Sequence, residues 1–155
     1  MQLTETIDTK LIKDILTNPR LFAVSNGIDI IPKNYEVDKH WDYLLIHNHK
    51  HNMGLISLKQ FTPLVIETHI HLLPEFWGKE NISLDAAKLG LQWIRDNTKF
   101  RQTFTYVPLV CENVHVFLKE LEYKPCGIIE NGCVFNGMYM NLILYTYDLK
   151  RESNE

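Results

Sequence analysis

Three ionisable side chains recur at every second position of one apolar segment: Glu67, His69 and His71. The segment 64–73 is rich in aliphatic and β-branched residues, which predicts a strand whose alternation places all three on one face. A carboxylate or imidazole in such a place can take a proton from a reacting group. Glu67 and His69 are therefore candidates for a general base. The alternative is that these side chains line a polar, partly solvated groove without catalysing a reaction.

Other residues of metal-ligand type are present, but their spacing does not predict a metal site. His47, His49 and His51 alternate, and paired strands could bring imidazoles together for zinc or nickel. No Cys or Asp completes a recognised spacing, so we expect solvated loop histidines and no bound metal. The cysteines are odd in number and are expected to be reduced thiols. They are Cys111, Cys126 and Cys133.

The strand that carries Glu67 belongs to a predicted strand–turn–helix unit. Pro74 ends the strand, a turn occupies 75–81, and a helix is predicted over 82–96. Apolar residues cover a broad face of this helix, which predicts deep packing against a sheet.

The remaining pattern predicts one mixed sheet with helices on its faces. A helix over residues 9–16 begins at the capping residue Asp8, and an irregular region extends to Lys39. Further elements are predicted as strands at 41–47, 55–61, 103–107, 123–135 and 138–147 and a helix at 111–121, with Asn136-Gly137 as a hairpin turn. We expect one domain over 1–149 and a disordered tail over 150–155.

Composition excludes several classes of function. The chain has 155 residues, a net charge of −3 and 45% hydrophobic residues, typical of a globular protein. Lys and Arg form no run, so we expect no nucleic-acid binding. No apolar stretch approaches the length of a bilayer span, and the first ten residues lack the apolar core of a signal peptide. We expect a cytoplasmic protein with no membrane partner.

Residues 67–79, with the letters ETHIHLLPEFWGK, resemble the fourth strand and the acyl-CoA pyrophosphate loop of the GNAT superfamily of N-acetyltransferases. Val107-Pro108 and the helix that ends in FLKELEY resemble the family's fifth strand and fourth helix. The resemblance covers nearly the whole chain. It implies the GNAT fold, an α/β (α+β) class with a mixed, mostly antiparallel sheet of six or seven strands and helices on both faces.

The resemblance also implies an acyl-CoA-dependent N-acetyltransferase acting on an amine of a protein or small molecule, with acetyl-CoA as cofactor. Glu67 matches the family's base and His69 is the second choice. A helix N-terminus supplies N–H groups and partial positive charge for a diphosphate. The implied cofactor contacts lie at the end of the strand and in the loop. They are Leu72, Leu73, Trp77, Gly78, Lys79 and Asn81.

Four positions depart from the family pattern. Glu80 and Ile82 stand where the loop has small residues, so a carboxylate would repel a phosphate and a branched side chain would prevent close approach. Cys111 stands where the family often has Asn, and Leu118 where many members have a proton-donating Tyr. We expect acyl-CoA binding to be impaired by Glu80 and Ile82.

This variant pattern resembles GNAT-like proteins of tailed bacteriophages and prophages, some of which are virion or head-assembly components. The alternative function is therefore a catalytically silent GNAT fold, a pseudoenzyme that serves as a phage structural, assembly or host-interaction protein. Its partner would be a phage or host protein instead of an amine acceptor. Its location would then be the host cytoplasm or the virion.

Overall fold

Seven strands form one sheet at the centre of the molecule. The computed structural model describes residues 1–27, 30–79 and 81–149. Its strands are β1 (Gln2–Glu5), β2 (Asp42–His47), β3 (Asn52–Gln60), β4 (Val65–Leu72), β5 (Gln102–Pro108), β6 (Lys124–Phe135) and β7 (Met138–Asp148). They lie in the order β1-β2-β3-β4-β5-β7-β6, and among the described pairs β4–β5 alone is parallel. The predicted mixed, mostly antiparallel sheet of six or seven strands is confirmed.

Helices cover both faces of the sheet. They are α1 (Thr9–Leu16), α2 (Pro19–Asn26), α3 (Ile82–Asn97) and α4 (Glu112–Glu120). On β3, Leu55 packs in a cluster with Ile12 of α1 and with residues of α2, whereas the next residue, Ile56, packs with Ala86 of α3. Because successive strand residues point to opposite faces, α1 and α2 cover one face, and α3 covers the other with α4 beside it. No helix in the described part of the chain has the length and apolarity needed to cross a membrane.

The local sequence signals account for most of these elements. α1 has the predicted bounds, and Asp8 Oδ1 accepts a hydrogen bond from the Leu11 backbone N–H at 3.0 Å. Asn136 and Gly137 have φ of 49° and 77°, as a two-residue hairpin turn requires. The other predicted strands and helices are confirmed with ends displaced by a few residues. The predicted tail, 150–155, lies outside the described residues.

The prediction of an irregular region up to Lys39 was wrong at its start, where α2 forms. Pro19 follows the end of α1, and proline also suits the first turn of a helix, which is where it stands in α2. Asn18 Oδ1 accepts a hydrogen bond from the Leu21 N–H at 3.3 Å, and Gly27 ends the helix at φ 65°. The same short segment therefore ends one helix and starts the next.

The first strand was also missed. β1 pairs along its whole length with β2, from Gln2–His47 to Glu5–Leu44. Its burial pattern shows one partly buried residue among exposed ones. This edge strand is stabilised by main-chain pairing and has no apolar alternation by which it could be recognised.

The β6–β7 hairpin reaches across the sheet to α2. The Asn136 N–H donates to the Gly27 carbonyl at 2.8 Å. A Cβ added at Gly27 would lie 2.5 Å from the Phe135 ring, so the two segments are in close contact. The turn between β6 and β7 is thereby fixed against the end of α2.

Candidate active site

A V-shaped gap opens in the sheet between β4 and β5. Their parallel pairing ends at the Glu67–Phe104 pair. Beyond it, β4 stays paired with β3 as far as Leu72, and β5 stays paired with β7 as far as Pro108. The two parallel strands therefore diverge at the middle of the sheet.

The backbone of β4 presents hydrogen-bonding groups to this gap. In an antiparallel pair, the N–H and C=O groups of successive residues point to alternate sides. The Leu73 N–H donates to the Met53 carbonyl on the β3 side at 2.9 Å, so even-numbered residues of β4 face β5. The groups of Thr68 and Ile70 consequently lie in the gap, where an extended ligand with amide groups can pair with them.

Glu67 and His69 form a hydrogen-bonded pair at the start of the gap. His69 Nε2 lies 2.8 Å from Glu67 Oε1, and the side chains are 22% and 12% exposed. An ionised carboxylate only accepts hydrogen bonds, so Nε2 carries the proton. The Nδ1 lone pair then points towards the Thr105 hydroxyl, 3.4 Å away across the gap. Glu67 thus orients His69 with its basic nitrogen towards β5.

Two aromatic side chains enclose His69. The ring of Trp41 lies 5.5 Å from the imidazole, and the ring of Tyr106 meets it edge-on at 5.0 Å. Burial raises the pKa of the Tyr106 phenol, and the charge of Glu67 and a hydrogen bond donated to that carboxylate raise it further. Tyr106 therefore keeps its proton at neutral pH and remains a hydrogen-bond donor beside Glu67.

His71 lies on the same face but has a different environment. Its Nε2 and the Ser57 hydroxyl share a hydrogen bond of 3.0 Å. Burial, with a smaller contribution from the charge of His69, lowers the pKa of His71 to about 3. His71 is consequently neutral at physiological pH and cannot serve there as the ionised partner of a carboxylate.

Two cavities meet at His69 from opposite faces of the sheet. One, of about 200 Å³, lies under α3 and α4 and is lined by Thr68, Thr105 and Leu118 among others. The second, of about 450 Å³, lies on the side of α1 and α2. Both are lined by His69, His71 and Tyr106, whereas Glu67 lines neither. Of the two predicted bases, His69 is the one that reaches both spaces.

The predicted cofactor contacts at the end of β4 differ in what they present. The Leu72 carbonyl faces the gap but accepts a hydrogen bond from the indole N–H of Trp77 at 2.7 Å. Leu73, whose N–H bonds to Met53, faces β3. Arg20, which the sequence did not suggest, lies over the Trp77 ring at 5.4 Å and adds positive charge beside the loop.

The loop before α3 has the remaining predicted contacts. Gly78 has φ 66° and open space around it, and the Lys79 ammonium lies 5.8 Å from the Phe76 ring. Asn81 precedes α3 without a side-chain capping bond. Ile82 is the first residue of the helix, and Glu80 lies outside the described residues. Gly78, with its left-handed backbone, and the Lys79 cation therefore lie shortly before the N-terminus of α3.

Sequence reasoning missed the hydroxyl cluster at the closed end of the gap. Tyr123 lies 2.7 Å from Thr103 and 3.5 Å from Thr68, hydroxyl to hydroxyl. Thr68 lies on β4, Thr103 on β5 and Tyr123 directly before β6, so no local spacing indicated them. Among the described residues, no group of three His, Cys, Asp or Glu side chains is placed to hold a metal ion.

Residues 1–155 match a family described as "Protein of unknown function (DUF2824)". The chain belongs to this family. A relative of this DUF2824 chain is protein p31 of Acyrthosiphon pisum secondary endosymbiont phage 1, which is 23% identical over 142 residues and matched over 90% of each chain.

Solved structures establish the fold of the DUF2824 chain. The spermidine N-acetyltransferase from Vibrio cholerae in complex with CoA and spermine is similar with a TM-score of 0.79 and 14% identity, over 96% of this chain and 95% of that one. The protein smu.2055 from Streptococcus mutans UA159 is similar with a TM-score of 0.74 and 12% identity, over 97% of this chain and 100% of that one. The predicted GNAT fold is confirmed.

Proposed function

We propose that the protein is an N-acetyltransferase that uses acetyl-CoA and acts on an amine. The observation that carries the proposal is the position of His69, which is oriented by Glu67 at 2.8 Å and lines cavities on both faces of the sheet. A transferase of this kind needs a donor and an acceptor on either side of one proton-accepting group. The similar Vibrio cholerae structure contains CoA and spermine, which supports a donor and an amine acceptor.

The α3–α4 side of the gap is suited to the donor. The gap-facing backbone groups of Thr68 and Ile70 would pair with the amide-containing arm of acetyl-CoA. Gly78, Lys79 and Arg20 lie at the end of β4, where the phosphates would be held. Acetyl-CoA supplies an acyl group activated as a thioester. The fit is closest at Thr68 and Ile70, because the next gap-facing carbonyl, that of Leu72, already accepts a hydrogen bond from the Trp77 indole.

His69 takes the proton in this mechanism. An aliphatic amine is protonated at neutral pH and attacks only after losing a proton. Nδ1 of His69 accepts that proton, and the resulting imidazolium is stabilised by Glu67 through the Nε2–H bond. This assigns Glu67, the first candidate from the sequence, to orienting and stabilising His69. The aromatic rings of Trp41 and Tyr106 contact the imidazole and help to fix its position.

The proposal is tested by assaying acetyl transfer to a panel of amines, with release of the CoA thiol as the measured signal. We expect His69→Gln to lower turnover by about 100-fold or more and Glu67→Gln to lower it while acetyl-CoA binding, measured by calorimetry, is retained. His47→Gln is the matched control, because His47 bonds to Thr4 at the far edge of the sheet. Unchanged turnover in both site variants would reject these roles. If acetyl-CoA does not bind at millimolar concentration, the proposed acetyltransferase activity is rejected.

The second candidate function is a catalytically silent fold with a phage or host protein as its partner. The cavity under α3 and α4, about 200 Å³, is smaller than the range of roughly 300–1,000 Å³ usual for small-molecule sites. The Trp77 indole N–H also donates to the Leu72 carbonyl, which is then not available to a ligand. The relative p31 is a phage protein. In this case we place the protein in the host cytoplasm or the virion, and the calorimetric experiment above gives no acetyl-CoA binding.

A further inference from the structure

The cavity on the side of α1 and α2 has a negatively charged wall. Glu36 and Asp38 line it, and its described lining contains no Lys or Arg. Glu67 adds a third carboxylate directly behind His69, at 2.8 Å from the imidazole. Glu36 and Asp38 are exposed to solvent, and a cavity lined by charges of one sign favours ligands of the opposite sign, here positively charged ones.

Aromatic side chains stand beside these carboxylates. Tyr43 donates a hydrogen bond to the Asp38 carbonyl at 3.4 Å, and Tyr35 and Trp41 line the same wall. Burial raises the pKa of Tyr43 to about 12, with smaller contributions from Tyr35 and Asp38, so the phenol stays neutral. Aromatic rings attract ammonium groups, and the Trp41 ring already has the Lys59 ammonium 5.4 Å from its centre.

The β6–β7 hairpin covers part of the same cavity. Val134 and Phe135 of the β6–β7 hairpin form part of its lining, and the hairpin is fixed to α2 by the Asn136–Gly27 hydrogen bond of 2.8 Å. The hairpin therefore covers part of the cavity, while Glu36 and Asp38 stay exposed to solvent. A linear ligand would extend between these carboxylates and His69, which line the same cavity.

We propose that this cavity binds a linear amine with two or more positive charges, a small diamine or polyamine, with one amino group at His69 and a second near Asp38 and Glu36. The inference rests on the proposed function, because it takes this cavity as the acceptor side. It goes further in naming the charge and shape of the acceptor and the residues that select it.

Calorimetry without any acyl donor tests the inference on the full chain. The ligands are 1,4-diaminobutane and a linear triamine, compared with 1-aminopentane, which has one charge, and 1,5-pentanediol, which has none. We expect both polyvalent amines to bind at least about tenfold more tightly than 1-aminopentane. Their affinity should fall as salt is added. Pentanediol should not bind.

Variants identify the cavity. Asp38→Asn should weaken diamine binding about tenfold and keep the fold, because an Asn side chain can still accept the His40 N–H as Asp38 Oδ1 does at 2.9 Å. Trp41→Leu should weaken it as well. Asp96→Asn is the matched control, because this exposed carboxylate at the end of α3 bonds to Arg95 and lies outside the cavity.

The two proposals fail separately. Diamine binding that depends on Asp38, without acetyl transfer, would support this inference and reject the proposed function. Acetyl transfer to amines with equal affinity for one and two charges, unaffected by Asp38→Asn, would overturn this inference and leave the proposed function standing. Acetylation of lysines in a folded protein substrate with no diamine binding would also overturn it.

Discussion

Acidification from pH 7 to pH 5 should destabilise the native fold through His71. The ordinary pKa of 6.5 applies to the unfolded chain, whereas burial lowers it to about 3 in the native state. Between these values the unfolded chain binds a proton that the native state does not, so the free energy of unfolding falls as the pH falls. Integrated from pH 7 to pH 5, this single group accounts for about 2 kcal/mol.

Urea denaturation at both pH values measures the effect. His71→Gln removes the titrating group and retains an amide that can bond to the Ser57 hydroxyl. We expect the wild-type protein to lose about 2 kcal/mol more than the variant between pH 7 and pH 5. His47→Gln, at the edge of the sheet, should keep the wild-type slope. An equal loss in the wild type and in His71→Gln would refute the reasoning, because His71 would then titrate alike in both states.

Three further changes probe the elements that hold the site. Gly54→Ala should cost about 1–3 kcal/mol in urea denaturation, because the new Cβ would lie 2.2 Å from the His71 carbonyl; an unchanged midpoint would contradict this. Asp8→Ala should lower the free energy of unfolding by about 1 kcal/mol through loss of the α1 cap. Urea unfolding followed by helical circular dichroism measures this change, and a much smaller loss would contradict the role of the cap. Trp77→Phe should release the Leu72 carbonyl to the gap and tighten acetyl-CoA binding about fivefold in calorimetry; weaker binding would show that the indole itself contacts the ligand.

Local patterns in the sequence were sufficient for the parts of the fold that depend on neighbouring residues. The alternation through Glu67, His69 and His71 predicted one face of β4, and the structure places all three there. Asp8 and the Asn136-Gly137 turn were recognisable because capping and hairpin geometry depend on a few adjacent residues. In each case the side chain and the backbone it constrains are close in sequence.

The partners of these residues could not be predicted in the same way. Trp41 and Tyr106 meet His69 because β2 and β5 lie on either side of β3 and β4, which depends on the order and register of the whole sheet. The separation of β4 from β5 after Glu67 has no local signal at all. The choice of His69 over Glu67 as the group that reaches both cavities likewise required the three-dimensional arrangement.

The bond between Asn136 and Gly27 joins segments from opposite ends of the described chain. A contact between segments so distant in sequence closes a long loop, which costs chain entropy and slows folding. The cover of the α1–α2 cavity is therefore completed only when the final hairpin has docked on α2. A chain interrupted before β6 could form the β2–β3–β4 meander that holds Glu67 and His69, but it would leave the imidazole open to bulk water. Closure of this cavity would then serve as a kinetic marker for the docking of the last hairpin.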